Sequence, residues 1–144
     1  MLKAIHHVGI VVKNLEESLC FYRDILGLKS SDTFYDETED ADILFLEVGN
    51  ETVELISPRN VKVSNPSRTW KRREIGGVEH IAFTVDSLEE MHDRLSKNRV
   101  TCLLAPTIFR DITFAYYEAP DGVILELVEE IQKNTLSHSL SKTP

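Results

Sequence analysis

A chain of 144 residues is long enough for one ordinary domain, or for two small halves that share a core. With 42% apolar and 28% charged residues it has the balance of a folded, soluble protein, and no apolar run approaches the roughly 20 residues that a membrane-spanning helix needs. Its net charge of −8, from 24 acidic and 16 basic residues, repels a phosphate backbone and argues against a nucleic-acid partner. The opening Met1-Leu2-Lys3-Ala4-Ile5-His6 lacks the apolar core of a secretory signal. Cys20 and Cys102 are too few for a disulfide framework and are not spaced as a metal pair. Both are read as packing residues, and the protein as cytoplasmic.

The predicted elements begin with a β-branched run, Ile5 to Val12, read as a strand. Asn14 follows as a helix cap with Glu17 three positions on, the spacing of a capping box. Leu15, Leu19, Tyr22 and Ile25 recur at helical spacing, and Gly27, which tolerates left-handed backbone angles, ends that helix. Three strands are expected near 29–34, 43–48 and 52–57, the last two joined by a turn at Gly49-Asn50. The acidic run Asp36-Glu37-Thr38-Glu39-Asp40-Ala41-Asp42 is read as a solvated hairpin loop rather than a lid. Residues 59–75 form a polar linker. Its basic island, Arg68 to Arg73, runs against the overall charge; a solvated segment is preferred over a holder for an anionic substrate end.

The same series then returns. A strand spans Glu79 to Val85; Ser87 caps a helix with Glu90 three positions on and Leu88, Met91 and Leu95 on one face; strands follow near 101–104, 113–118 and 123–129, with Asp121-Gly122 as the last turn. The return is a repeat of residues as well as of elements. His7-Val8-Gly9-Ile10-Val11-Val12 matches His80-Ile81-Ala82-Phe83-Thr84-Val85 at an offset of 80 − 7 = 73, and Val53-Glu54-Leu55-Ile56 matches Leu125-Glu126-Leu127-Val128 at 126 − 54 = 72. The expected organisation is one α+β domain over 1–130, built from two tandem βαβββ modules at about 1–58 and 76–130. A polar tail follows over 131–144.

Strand side chains alternate between faces. If Ile10 and Val12 face a helix layer, His7 points to the other side, and His80 does so in the second copy. Glu54 and Glu126 are each the odd polar residue in an apolar strand, turned away from Val53 and Leu55 or from Leu125 and Leu127. An isolated buried carboxylate is costly to keep ionised. Two glutamates and two histidines at repeat-related positions share one economical answer, a divalent metal ion. The donor set contains no thiolate and suits nickel, cobalt or manganese, with zinc accepting five or six ligands less readily. Alternation does not separate His6 from His7; the match to His80 selects His7. His92 and His138 are read as solvent-facing.

At these residues the sequence resembles the vicinal oxygen chelate superfamily, the group of glyoxalase I and methylmalonyl-CoA epimerase. The resemblance lies in His-His-Val-Gly-Ile-Val-Val-Lys-Asn-Leu-Glu-Glu-Ser at 6–18, Phe-Tyr-Arg-Asp-Ile-Leu-Gly-Leu at 21–28, His80 to Asp86, and Pro120-Asp121-Gly122-Val123-Ile124-Leu125-Glu126-Leu127. It spans about residues 1–130. It implies modules whose strands curl into a metal-holding cleft, with His7, Glu54, His80 and Glu126 as ligands. It also implies a metal-dependent lyase or isomerase that abstracts a proton next to a metal-bound carbonyl, with Glu126 or Glu54 as the base. The substrate would be a thioester, a hemithioacetal or another vicinal-oxygen compound. Ring-cleaving dioxygenases of the family use two histidines and one glutamate, so Glu54 points to the isomerase-like branch. The alternatives within the fold are a small-molecule-binding resistance protein, a thiol transferase or a dioxygenase. Small duplicated sheets with open edges often pair, so a homodimer is expected.

Overall fold

The computed structural model describes residues 1, 3–60 and 76–131. The basic island, most of the linker, and the tail beyond Ile131 with His138 lie outside the described residues.

Each half folds as the periodicity predicts, with shifted boundaries. Strand β1 (Val8–Val11) is followed by helix α1 (Leu15–Leu19), which runs on as a π-helical turn over Cys20–Ile25. Asn14 caps α1, its side-chain oxygen accepting from the Glu17 N–H at 3.1 Å. The widened turn is visible where the Leu26 N–H reaches the Phe21 carbonyl at 2.9 Å, and Gly27 closes the helix at φ +83°. The single strand expected near 29–34 is broken into β2 (Lys29–Ser30) and β3 (Phe34–Asp36). Strands β4 (Ala41–Val48) and β5 (Glu51–Pro58) form a hairpin whose turn holds Gly49 at φ +59°.

In the second half β6 (His80–Thr84) leads to helix α2 (Leu88–Lys97). The start of α2 is satisfied twice: Ser87 Oγ accepts from the Glu90 N–H at 3.2 Å, and Glu129 Oε2 accepts from the Leu88 N–H at 2.7 Å. Strands β7 (Cys102–Phe109), β8 (Ile112–Glu118) and β9 (Ile124–Glu130) complete the module. Strand β7 is longer than the 101–104 expected, and its pairing with β8 slips between Cys102 and Thr107. Pro106, which has no N–H to offer the ladder, lies in that irregular stretch.

The two sheets share one plan. In the first the order is β1-β5-β4-β2, with β3 also on β4; in the second it is β6-β9-β8-β7. In each, the first strand runs parallel to the last, which is antiparallel to its hairpin partner. One apolar core joins them: Ile10, Val12, Phe21, Leu44 and Leu55 cluster with Leu88, Leu95, Tyr117, Leu125 and Leu127. Fully burying each such side chain stabilises the fold by roughly 1.5–3 kcal/mol. Polar links cross between the halves as well. The Lys13 N–H donates to Asp121 Oδ2 at 3.1 Å, and Arg94 Nη2 donates to the Asp24 carbonyl at 3.0 Å. No helix among the described residues is long and apolar enough to cross a membrane.

Two readings of single residues are corrected. Cys20 and Cys102 are exposed free thiols, not packing residues: Cys20 lies on the outer side of the first helix, next to the buried Phe21 and Tyr22, and Cys102 opens edge strand β7. His92 is half-buried rather than solvent-facing. Its Nδ1 lies 2.8 Å from the hydroxyl of Tyr117, a core residue of β8 whose phenol reaches to the edge of α2. The acidic run is a hairpin turn only over 37–40, where Asp36 Oδ1 at the end of β3 accepts from the Thr38 and Glu39 N–H groups; Ala41, fully buried, and Asp42, paired with Arg59 at 2.6 Å, already belong to β4, because they pair with Pro58 and Ser57 of β5.

Candidate metal centre

The parallel pairing of first and last strands puts histidine and glutamate together in each module. Gly9 lies opposite Glu54 in the β1–β5 register, and Ala82 lies opposite Glu126 in the β6–β9 register. His80 opens β6 two residues before Ala82 and so shares its face with Glu126, and His7, one residue ahead of β1, holds the matching place two residues before Gly9. The residue in between is small in both modules, Gly9 and Ala82, and a Cβ at Gly9 would meet Glu54 Oε2 only at an ordinary contact distance of 3.6 Å. The result is His7 Nε2 at 3.3 Å from Glu54 Oε2, and His80 Nε2 at 2.9 Å from Glu126 Oε2. The glutamate side chains are only 16% and 12% exposed, against 41% and 31% for the histidines. Each carboxylate is therefore largely removed from water, and each imidazole keeps an open flank.

Further groups surround the pairs. His6 does not face Glu54; its Nδ1 lies 2.9 Å from His7 Nδ1. In the second module Glu79 Oε2 lies 3.3 Å from His80 Nδ1. The Tyr116 ring meets His80 edge-on at 5.4 Å between centroids, and Phe114 stands 5.6 Å beyond it. Phe45 occupies the corresponding place beside Glu54, stacked on Phe34. These aromatics were not anticipated from sequence. Their signal was available in the hairpins, where Phe45 pairs with Glu54 and Tyr116 with Glu126. A cavity of about 610 Å³ opens beside the first pair, with Ile5, His7, Val8, Val53, Ile81 and Phe83 in its wall.

The four candidate ligands thus form two pairs, one per module. Among the described residues no three of His, Cys, Asp or Glu are close enough together to hold one ion. Within each pair the nitrogen and oxygen are in direct contact, and neighbouring ligands about 2.1 Å from an octahedral ion would span a similar distance, about 3.0 Å.

Comparison with known proteins gives the geometry its context. The chain is 30% identical over 131 residues to the protein YaeR of Escherichia coli, covering 90% of this chain and 98% of that one. It is 26% identical over 130 residues to the mitochondrial methylmalonyl-CoA epimerase of Homo sapiens, covering 88% of this chain and 73% of that one. A glyoxalase family protein from Bacillus cereus has the same fold, with a TM-score of 0.77 at 22% identity over 92% of this chain and 97% of that one. The model of the glyoxalase/bleomycin resistance protein/dioxygenase superfamily matches residues 6–117. With two sheets of one plan, each carrying its own histidine–glutamate pair, the chain belongs to the glyoxalase/bleomycin resistance protein/dioxygenase superfamily.

Proposed function

We propose that the protein is a divalent-metal-dependent lyase or isomerase of the glyoxalase I or methylmalonyl-CoA epimerase type. One observation carries this reading: an Nε2 and an Oε2 face each other at 3.3 Å and again at 2.9 Å, at repeat-related positions on two equivalent sheets. Two imidazoles and two carboxylates suit nickel, cobalt, manganese or zinc. His7, Glu54, His80 and Glu126 would hold the ion, and the proposal requires the two pairs to close on it, within one chain or with a second copy. Such an ion supplies Lewis acidity toward the carbonyl and neighbouring oxygens of a substrate.

The remaining work falls to the chain's own groups. Glu126, or Glu54 if the substrate displaces it as a ligand, takes the proton from the carbon beside the carbonyl and returns it to that carbon or its neighbour, since a carboxylate freed from a cation regains its basicity. Strand placement serves this role, since a carboxylate on a central strand is fixed in position while Leu125 and Leu127, or Val53 and Leu55, anchor its backbone in the core. The cavity beside His7, walled by Ile5, Val8, Val53, Ile81 and Phe83, offers an apolar surface for the substrate's hydrocarbon part. The likeness to an epimerase supports a thioester substrate, with a hemithioacetal as the glyoxalase counterpart. The exposed Ile108 and Phe109 on edge strand β7 offer a surface to a second copy, and the reading includes a homodimer.

The test is solvent-deuterium exchange into a thioester or hemithioacetal substrate. Glu126→Gln removes the proton acceptor and is expected to abolish exchange; full exchange in that variant would overturn the assignment. A second reading, a small-molecule-binding protein of the same fold without turnover, is favoured by the separation of the four ligands into two pairs. Metal content after purification in weakly chelating buffer separates the two, since the binding reading needs no bound ion.

A further inference from the structure

The residues just before the two candidate ligands have no role in the reading above. His6 and Glu79 are themselves repeat equivalents, at 79 − 6 = 73. Each is in contact with the Nδ1 of the histidine that follows it, at 2.9 Å and 3.3 Å, while the Nε2 of that histidine faces glutamate. Adjacent residues within a strand point to opposite faces. These contacts form because β1 starts only at Val8 and β6 at His80, so His6, His7 and Glu79 precede the pleated segment.

From this we propose that Glu79 and His6 are matched positioning residues, one per module, that hold the ligating imidazoles by Nδ1 and aim Nε2 at the site. The inference rests on the metal reading of the four ligands. An acceptor at Nδ1 keeps that nitrogen's proton in place, fixes the ring plane, and leaves Nε2 as the donor atom for a cation. The two modules do this unequally. Glu79 presents a carboxylate that is only 21% exposed at its side chain, whereas His6 presents an exposed imidazole, which accepts only as the tautomer whose Nδ1 carries no proton. A hydrogen bond to an ionised acceptor is the stronger kind. Glu79 therefore contributes more to cation affinity than His6.

The experiment is calorimetric titration of the full chain with manganese(II) alone, alongside melting of the metal-free protein. Glu79→Ala is expected to weaken manganese binding about 10- to 100-fold while leaving the metal-free melting temperature in place. His6→Ala is expected to weaken it less. Glu79→His gives the second module the first module's arrangement and is expected to recover part of the loss. Equal affinity in wild type and Glu79→Ala overturns the positioning role while leaving the metal reading intact. So does loss of affinity that only follows a fall in metal-free melting temperature, or Glu79→His binding no better than Glu79→Ala. A wild-type chain that takes up no manganese overturns the metal reading itself, and this inference with it.

Discussion

Replacing His80 and Glu126 together by leucine separates a pair kept for chemistry from a pair that supports the fold. Glu126 sits on central strand β9 between Ala82 of β6 and Tyr116 of β8, with a side chain 12% exposed, and its partner His80 is 31% exposed. Desolvating such groups costs free energy that their mutual attraction only partly returns. Replacing a buried ionic pair by apolar residues of similar volume is often neutral or stabilises by about 1–4 kcal/mol. His80 keeps an open flank, which places the expected gain near the lower end, about 1 kcal/mol. For a chain of this size that raises the melting temperature by about 3–5 °C. The assay is thermal unfolding followed by circular dichroism in the presence of a chelator, so that no bound ion stabilises the wild type. A double variant that instead melts several degrees lower would show that the pair holds the sheet together, and its position would then need no functional explanation.

Two further outcomes follow from the helix start and from the phenols. Ser87→Ala removes the side-chain acceptor for the Glu90 N–H and is expected to cost about 1 kcal/mol, measured as a lower urea midpoint at unchanged slope; an unchanged midpoint would mean that Glu129 alone satisfies the helix start. Burial, reinforced by the nearby Cys102 thiol, pushes the Tyr117 hydroxyl up to about 12, and burial beside Asp121 pushes Tyr22 higher still. The folded state thus keeps protons that the unfolded chain releases near pH 10, so this stabilisation is complete below pH 10 and is lost as pH rises toward 12. Tyr117→Phe should flatten the decline in urea midpoint across that range, and an equally steep decline would refute the argument.

How far the sequence carried this molecule depends on what a repeat can encode. Asn14 and Ser87 became caps, Gly27 and Gly49 took positive φ, and Glu54 and Glu126 met the histidine of their own module. All of these are fixed by local backbone chemistry or by one strand pairing, and alternation within a strand is enough to read them. The His92–Tyr117 contact was not legible, because periodicity assigns a helix face but not the reach of a phenol from the neighbouring sheet. Nor was the Glu79–His80 contact, since alternation turns Glu79 away from His80 and it lies just ahead of the start of β6. The largest gap is the distance between the two pairs. Repeat equivalence says that His7 and His80 do the same thing in each half, yet it is silent on how the halves are set against each other. That setting comes from the shared core and from contacts at the seam, such as the Lys13 N–H on Asp121 and Arg94 on the Asp24 carbonyl, and the latter have no counterpart in the periodic pattern. The question left to chemistry is therefore a question about the seam: a cation that binds all four ligands must draw the two sheets, or two copies of them, toward each other. Closure within one chain moves the seam contacts, so metal uptake by the wild type should change amide exchange at Lys13, whose N–H is held by Asp121 across the seam; unchanged exchange with metal bound points instead to closure between two copies.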